Sequence, residues 1–321
     1  MGFVLLQHEQ RAPLRTAALP VPDCAAERDQ VVLRVRVCAP GWWDLALPPE
    51  WPRVPGAVVI GSDEREADDR LRICGGYLPC GACEPCQAGL HLACKSPARP
   101  GWNIPGGLAT EVGLPSSEHL APAMDHVADW PWVAAVLAAG GPTYQAAATA
   151  GMAAGDTVVV FGTAGPGAIP LRLLAALGLR PVWVTKSEAP VPEVSVTPDP
   201  PDRLADLPSA RRHLLDLSAD EATVAAWRHL ARGCVSCTLV GSGPPPPVSA
   251  EVLAGQAPLR WIRDLHPHLV LDLVALCRSE RLPPDHGAIT TCSPDQIPPA
   301  FGDLERGAAT GWPVLTTQSC R

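Results

Sequence analysis

Four cysteines crowd one short loop, "CGACEPCQAGLHLAC", spaced C-x2-C-x2-C-x7-C from Cys80 to Cys94. Thiolates are soft ligands, and four at this spacing suit one tetrahedral Zn(II) per chain, held by Cys80, Cys83, Cys86 and Cys94. A zinc ligated four times by protein keeps no open position, so its chemistry is structural. Four free thiols and an iron-sulfur cluster are the alternative uses of the same residues. A second candidate is "VVVFGTAGPGAIP", an apolar run ending in Gly162 and followed by helical residues. In such a turn, backbone N–H groups and a helix N-terminus receive the pyrophosphate of a dinucleotide. Gly162, Ala164, Gly165 and Gly167 are its cofactor-binding positions; Ala164 stands where the middle glycine of the fingerprint usually sits. A turn that only reverses the chain is the plainer reading.

These residues need elements to position them. "QVVLRVRVC" (30–38) alternates apolar and polar residues with β-branched Val, the period of a half-buried strand, and "RLRIC" (70–74) is another short strand. Residues 1–130 therefore read as a β-rich domain carrying the cysteine loop. From Pro131 the texture changes to helix, then "DTVVVFG" (156–162) as a buried strand, "GAIPLRLLAALG" (167–178) as a helix and "RPVWVT" (180–185) as a strand. "RHLLDLS" (212–218) and "CVSCTLVG" (234–241) add strands around a helix in "EATVAAWRHLA" (221–231). Alternating strands and helices over 131–266 imply a parallel sheet. The proline-rich stretches 189–201 and 244–247 read as extended loops. Residues 267–321 offer a helix in "HLVLDLVALCRSERL", a strand near "AITT", a helix in "QIPPAFGDLERG" and a strand in "PVLTT".

Composition narrows the class. The 321 residues are 47% hydrophobic and 18% charged, enough for two domains with their own cores. A net charge of -8 without a basic patch makes nucleic acid and anionic membrane poor partners and leaves a small-molecule substrate. No segment approaches twenty uninterrupted apolar residues and the N-terminus lacks a signal h-region, so the expected location is cytoplasmic, with reduced thiols among the twelve cysteines.

The loop "GYLPCGACEPCQAGLHLAC", then "GGLATEVGLPSSEHLAPAMDHVAD", "GMAAGDTVVVFGTAGPGAIPLRLLAALG" and "FGDLERGAATGWPVLTT" follow the order seen in zinc-containing medium-chain alcohol dehydrogenases, which the chain resembles over nearly its whole length. The resemblance implies an α/β fold: a GroES-like, β-rich catalytic domain formed from both ends of the sequence, and a Rossmann nucleotide-binding domain between them. It also implies that the four-cysteine lobe is the structural zinc site.

The catalytic zinc of that family is another matter. Its ligand Cys stands three residues before an Asp; in "CAPGWWDLAL" the aspartate is Asp44 and that position is Gly41. The Gly-His-Glu motif reads Gly56, Ala57, Val58, and the third ligand falls near Ala138. Cys38 is the one nearby residue that a shifted alignment would offer. Trp42 and Trp43 flank the lost position, either as packing or as walls for a flat apolar substrate. Asp44 and Tyr144 are the candidates to move a proton, Tyr144 also being readable as structural.

The nucleotide site departs too. The acidic residue that usually ends the second Rossmann strand and binds the ribose of NAD is replaced by Thr185, followed by Lys186 and Ser187. Lys186 would attract the 2'-phosphate of NADP(H), or is a surface lysine. The stretch between Gly243 and Leu269 is short for the elements that complete the sheet and, in many dimeric relatives, join subunits, so a truncated sheet is expected and a homodimer is one assembly the resemblance allows. His266 and His268 read as a helix cap. Cys234 and Cys237 form C-x2-C, but in a strand their side chains would diverge, which argues against a redox pair. Together these readings favour a zinc-independent reductase moving hydride from NADPH to a conjugated alkene, imine or iminium, in secondary metabolism. The alternatives are a non-redox catalyst of elimination, cyclisation or isomerisation on the same fold, and an inactive binding protein.

Overall fold

The computed structural model describes residues 2–9, 11–17, 30–46, 52–63, 70–123, 129–162, 165–185, 191, 194–197, 207, 211–218, 221, 224, 227, 230, 233–241, 246–248 and 257–317. Strands β1 (Val4–Leu6), β2 (Arg15–Ala17), β3 (Val31–Ala39), β4 (Val58–Asp63), β5 (Leu71–Cys74), β6 (Glu111–Leu114) and β7 (Ala121–Pro122) come first, with the short helix α1 (Glu84–Gln87) between β5 and β6. A helical run follows as α2 (Trp130–Ala135), a π turn at Val136–Gly140, and α3 (Gly141–Ala150). Next come β8 (Thr157–Phe161), α4 (Ile169–Ala176), β9 (Arg180–Val184), β10 (Ser195–Thr197), β11 (Arg212–Asp216), β12 (Ser236–Val240) and β13 (Leu259–Ile262). The chain ends with α5 (Leu269–Cys277), β14 (Ile289–Cys292), α6 (Ile297–Glu305) and β15 (Trp312–Thr316).

These elements form two units, one from Met1–Gly141 with Asp264–Arg321, the other Pro142–Arg263. The division falls at 141/142 and 263/264, where the change of sequence texture had placed it at 130 and 266. The first unit is built on a sheet ordered β14-β15-β3-β4-β5-β7, with β6 also paired to β3. β3 runs antiparallel to β4 and β6, and β15 closes on it with Leu315 opposite Cys38, which returns the tail to the first domain. Leu33, Val35, Cys38, Val59, Leu108, Phe301 and Leu315 share its core.

The second unit holds a six-stranded sheet, ordered β10-β9-β8-β11-β12-β13 and parallel throughout. This is the full doubly wound order, so the truncated sheet expected from the sequence is corrected. Two short strands complete it. β10 lies in the proline-rich stretch read as a loop; an edge strand needs only one row of N–H donors, which suits prolines around it. Both faces of β8 are covered: Val158 and Val160 pack with Leu171, Leu174 and Leu215, whereas Val159 and Phe161 pack with Leu214, Val224, Trp227 and Leu239. That explains its unbroken apolar run. Most of 221–231 and half of 244–247 lie outside the described residues, but Val224, Trp227 and Leu230, three apart, are buried. Among the described residues no helix is long and apolar enough to cross a membrane.

At the N-terminal ends of β8, β11 and β12 a buried His213 bridges Ser236 (Nδ1 to Oγ 2.8 Å) and Asp156 (Nε2 to Oδ2 3.1 Å). Arg211 Nε (3.1 Å) and the Ala153 N–H (3.0 Å) also reach Asp156. Burial holds the His213 pKa below the usual histidine range, against the pull of Asp156. Burial alone would raise Asp156, but the Ala153 N–H, the His213 imidazole and the Arg211 guanidinium hold it low. The unfolded histidine takes up its proton near pH 6.5, about when the native one still resists, so this stabilisation is complete above that pH and is lost as pH falls. Asp156, depressed in the native state, loses stabilisation in the same direction at lower pH. His213→Gln is expected to lower Tm at neutral pH yet flatten the loss of Tm between about pH 7.5 and 5, measured by thermal melts; parallel curves for the two proteins would refute this assignment.

Candidate functional site

The cysteine lobe is closed at its base by reciprocal backbone hydrogen bonds between Leu78 and Ala98 (2.9 and 2.8 Å). Cys83 precedes α1, and Cys86 lies buried within it. All four sulfur atoms lie within 4.8 Å of one another, with Cys83 3.5 Å from Cys86 and 3.9 Å from Cys94. A tetrahedral zinc with bonds near 2.3 Å sets its sulfurs about 3.8 Å apart. Backbone N–H groups of Lys95 and Cys86 bring Cys83 down to about 6, and those of Cys83 and Ala82 lower Cys80. The residues present fit a structural zinc. A buried fork ties the lobe's flank to the returning chain: Arg99 donates to both oxygens of Asp264 (2.8 and 2.7 Å) and lies 5.1 Å over the Tyr77 ring, whose hydroxyl donates to the His91 carbonyl.

The place where the resemblance puts a catalytic metal, around Gly41, Ala57 and Ala138, is packed by the chain's own residues. β3 ends in a 3-10 turn, Trp42–Leu45, in which Asp44 is wholly buried. Its Oδ2 accepts the Gly41 N–H (2.8 Å) and its Oδ1 the Gly56 N–H (3.1 Å), with the Ala57 N–H also bonded to it. Burial raises this carboxyl to about 6, opposed first by Arg53 and then by these N–H groups. Arg53, also buried, donates to Gln7 Oε1 (3.0 and 2.8 Å), to the Gly101 carbonyl (3.2 Å) and to the Asp44 carbonyl. Both Asp44 oxygens are thus engaged inside the fold, and the geometry gives it a positioning role.

Trp43, 4% exposed, donates its indole N–H to the Pro100 carbonyl (3.0 Å). A Cβ on Gly76 would sit 2.7 Å from its ring, and one on Gly41 would sit 2.8 Å from the Ala57 Cβ. Trp42, half-buried, donates to the Ala139 carbonyl within the π turn (2.8 Å) and meets Trp312 edge-on at 5.1 Å. Ala138 is buried in the same turn. Cys38 lies under Gly56, whose φ of +112° leaves no room for a Cβ, 2.6 Å from the Cys38 sulfur. Burial, then Asp44 and Cys74, hold the Cys38 thiol far above its ordinary pKa. Gly41, Ala57, Val58 and Ala138 offer no ligand atom, so these residues do not fit a catalytic zinc.

In the second unit the turn after β8 has Gly162 at φ +85° and Gly165 at φ +70°. A Cβ on Gly162 would lie 2.6 Å from the Ser218 backbone nitrogen, where the ends of β8 and β11 meet at the switch point of the sheet. Trp183 on β9 pins the turn by donating to the Gly162 carbonyl (2.9 Å). Gly167 stands in a 3-10 turn leading into α4. Thr185 follows β9 and donates its N–H to the Thr197 carbonyl (2.8 Å), so no carboxylate ends that strand. Ala164 and Lys186 lie outside the described residues. This turn, with the N-terminus of α4, fits a dinucleotide. Tyr144 is half-buried on α3, between buried Thr143 and Gln145.

No protein-family model matches the chain. An alcohol dehydrogenase of Geobacillus stearothermophilus is 29% identical over 177 residues, 50% of this chain and 52% of that protein. The chain thus spans about half the length of the curated relatives it matches. Alcohol dehydrogenase TADH from Thermus sp. ATN1 shares the fold with a TM-score of 0.80 at 18% identity, over 98% of this chain and 100% of that one. The CAD of Helicobacter pylori, solved with NADP(H), has a TM-score of 0.77 at 15% identity, over 98% and 97%. The chain is thus similar in part of its sequence to alcohol dehydrogenases and shares the fold of those solved structures.

The sequence alone does not reveal the Arg99–Asp264 fork or the Arg53–Gln7 contact, because their partners are far apart in the chain. Sequence reading misjudged Cys234 and Cys237. β12 begins at Ser236, which leaves Cys234 on the bend before it, and the two sulfurs lie 3.3 Å apart. Gly233, just upstream, was the available signal for a bend.

Two measurements follow from this geometry. Purified protein should carry close to one zinc per chain by mass spectrometry of its metals; Cys83→Ser should lose that metal together with thermal stability, because a closed site contributes to folding. Two zinc ions per chain would overturn the assignment. Trp43→Ala should cost about 3 to 5 kcal/mol in denaturant unfolding, the range for a deleted core aromatic; a loss below about 1 kcal/mol would show that the ring is not core.

Proposed function

We propose that the chain is a zinc-independent reductase that moves hydride from NADPH to a conjugated alkene, imine or iminium of a small molecule. The observation that carries this reading is the filled metal position, where Trp43 packs against Gly41 and Gly76 and Asp44 spends its oxygens on backbone N–H groups. An alkoxide formed beside Gly41, Ala57 and Val58 would be poorly solvated, since two of the nearest N–H donors are already bound to Asp44. An acceptor that is already polarised or conjugated needs no Lewis acid to take up hydride. When bound, the nicotinamide supplies that hydride. Gly162 and Gly165, both at positive φ, leave room for the backbone to approach the pyrophosphate, with the N-terminus of α4 following. Thr185 presents no carboxylate to repel a 2'-phosphate, and Lys186 supplies the charge to pair with it. The Helicobacter pylori neighbour was solved with NADP(H), which supports this choice of nucleotide. Tyr144 or water returns the proton.

Fluorescence titration of the pure protein tests this first: NADPH should bind more tightly than NADH. Lys186→Ala should weaken NADPH by about 1 to 2 kcal/mol, one charge-assisted contact, and leave NADH unchanged. Equal weakening of both rejects the 2'-phosphate assignment. Turnover of an electron-poor alkene with NADPH should be indifferent to added zinc, and simple alcohols should not be oxidised. Zinc-stimulated oxidation of ethanol or benzyl alcohol would overturn the reading, and failure to bind either nucleotide would favour a non-redox catalyst.

A further inference from the structure

Cys234 and Cys237 form a motif that neither the zinc lobe nor the proposed reaction uses. Their sulfur atoms lie 3.3 Å apart, and a disulfide of about 2.05 Å needs them to close by only about 1.3 Å. The two thiols are unequally placed. Cys237 is buried on β12, in register with Leu214 and Leu259 and packed among Trp227, Leu230 and Leu239. Cys234 is half-buried on the preceding bend, next to Gly233, whose φ of +87° faces open space where a side chain would stand. The backbone between them is held, Val235 donating to Arg212 (2.7 Å) and Cys237 to Pro258 (3.0 Å). We infer that Cys234 and Cys237 form an oxidative modification site, which hydrogen peroxide converts to an intramolecular disulfide through attack at Cys234.

The microenvironment supports this order of events. The Cys237 thiol, and after it N–H groups that include that of Ser236, lower the Cys234 pKa, while that hydrogen bond and burial push Cys237 up. The accessible sulfur is therefore the one of the pair favoured to ionise, and the thiolate is the reactive form. Cys234 attacks one peroxide oxygen, the O–O bond breaks, and the leaving hydroxide takes a proton and departs as water, leaving Cys234 as the sulfenic acid. Cys237 then attacks the Cys234 sulfur and forms the S–S bond. The displaced hydroxide accepts the proton lost by Cys237 and leaves as a second water. Two thiols lose two electrons in all, and one peroxide becomes two waters.

The test uses zinc-loaded protein, so that the lobe thiols stay ligated. Protein treated with hydrogen peroxide is denatured in iodoacetamide and digested with trypsin; the peptide 233–260 carries both cysteines and no other. The expected result is complete loss of alkylation at both positions, a mass lower by two hydrogen atoms than the unalkylated peptide, and full recovery with dithiothreitol. In Cys237→Ser, dimedone should trap Cys234 at least tenfold more than in the wild type, by order of magnitude, because the resolving thiol is gone. Unchanged alkylation of the wild-type peptide would overturn the inference without any variant. So would equal dimedone capture in the two proteins, which would show that Cys237 does not resolve the oxidised sulfur.

Discussion

A carboxylate withdrawn from water must have its lone pairs met by donors, or the fold around it fails. Asp44 sets that condition for the first unit. Its two oxygens draw the exit of β3 and the entry of β4 together through the N–H groups of Gly41, Gly56 and Ala57. Its charge is matched by Arg53, whose remaining donors go to Gln7 and Gly101, and Gln7 in turn donates to Glu305 on α6 (2.8 Å). Three distant stretches of chain, the N-terminal strand region, the β3–β4 turns and the returning tail, thereby meet at one buried charge. Residue 41, three positions earlier, is glycine, and the turn holds because its backbone N–H, which donates to Asp44, does not depend on a side chain.

Much of this was legible in the sequence wherever local pattern and tertiary role agree. β8 and β11 read as strands because both faces of a central parallel strand are apolar. The four-cysteine lobe read as a metal site because its ligands are local. What escaped were features set by distant partners. β10 has three residues and lies among prolines, so its membership in the sheet is decided by β9 rather than by its own sequence. The helix starting at Trp130 changes the local texture, but α2 belongs to the first unit and packs there against β3 and β15. Texture reports secondary structure, whereas a domain boundary reports which core a residue joins. Cys234 was misread by two residues of strand assignment, enough to turn diverging side chains into adjacent ones.

The cysteine lobe and the surroundings of Asp44 differ in how they are built. The lobe is local, with its sulfurs and N–H donors coming from one loop. The region around Gly41, Gly56, Ala57 and Ala138 is assembled from separate stretches, each closed by its own surroundings: the Gly41 N–H bonded to Asp44, Gly56 set close on Cys38, and the Trp42 indole bonded to the π turn at Ala139.

That close packing has a consequence for any attempt to build a metal site here. A side chain placed at position 41 would run into the Ala57 Cβ, and the Trp43 ring occupies the space over Gly76. Removing the ring first leaves a void in the core, and adding a ligand first forces an overpacked one, so neither order of single substitutions is level ground. A metal site at this position would need several changes at once, and the tryptophan acts as the latch that keeps it shut.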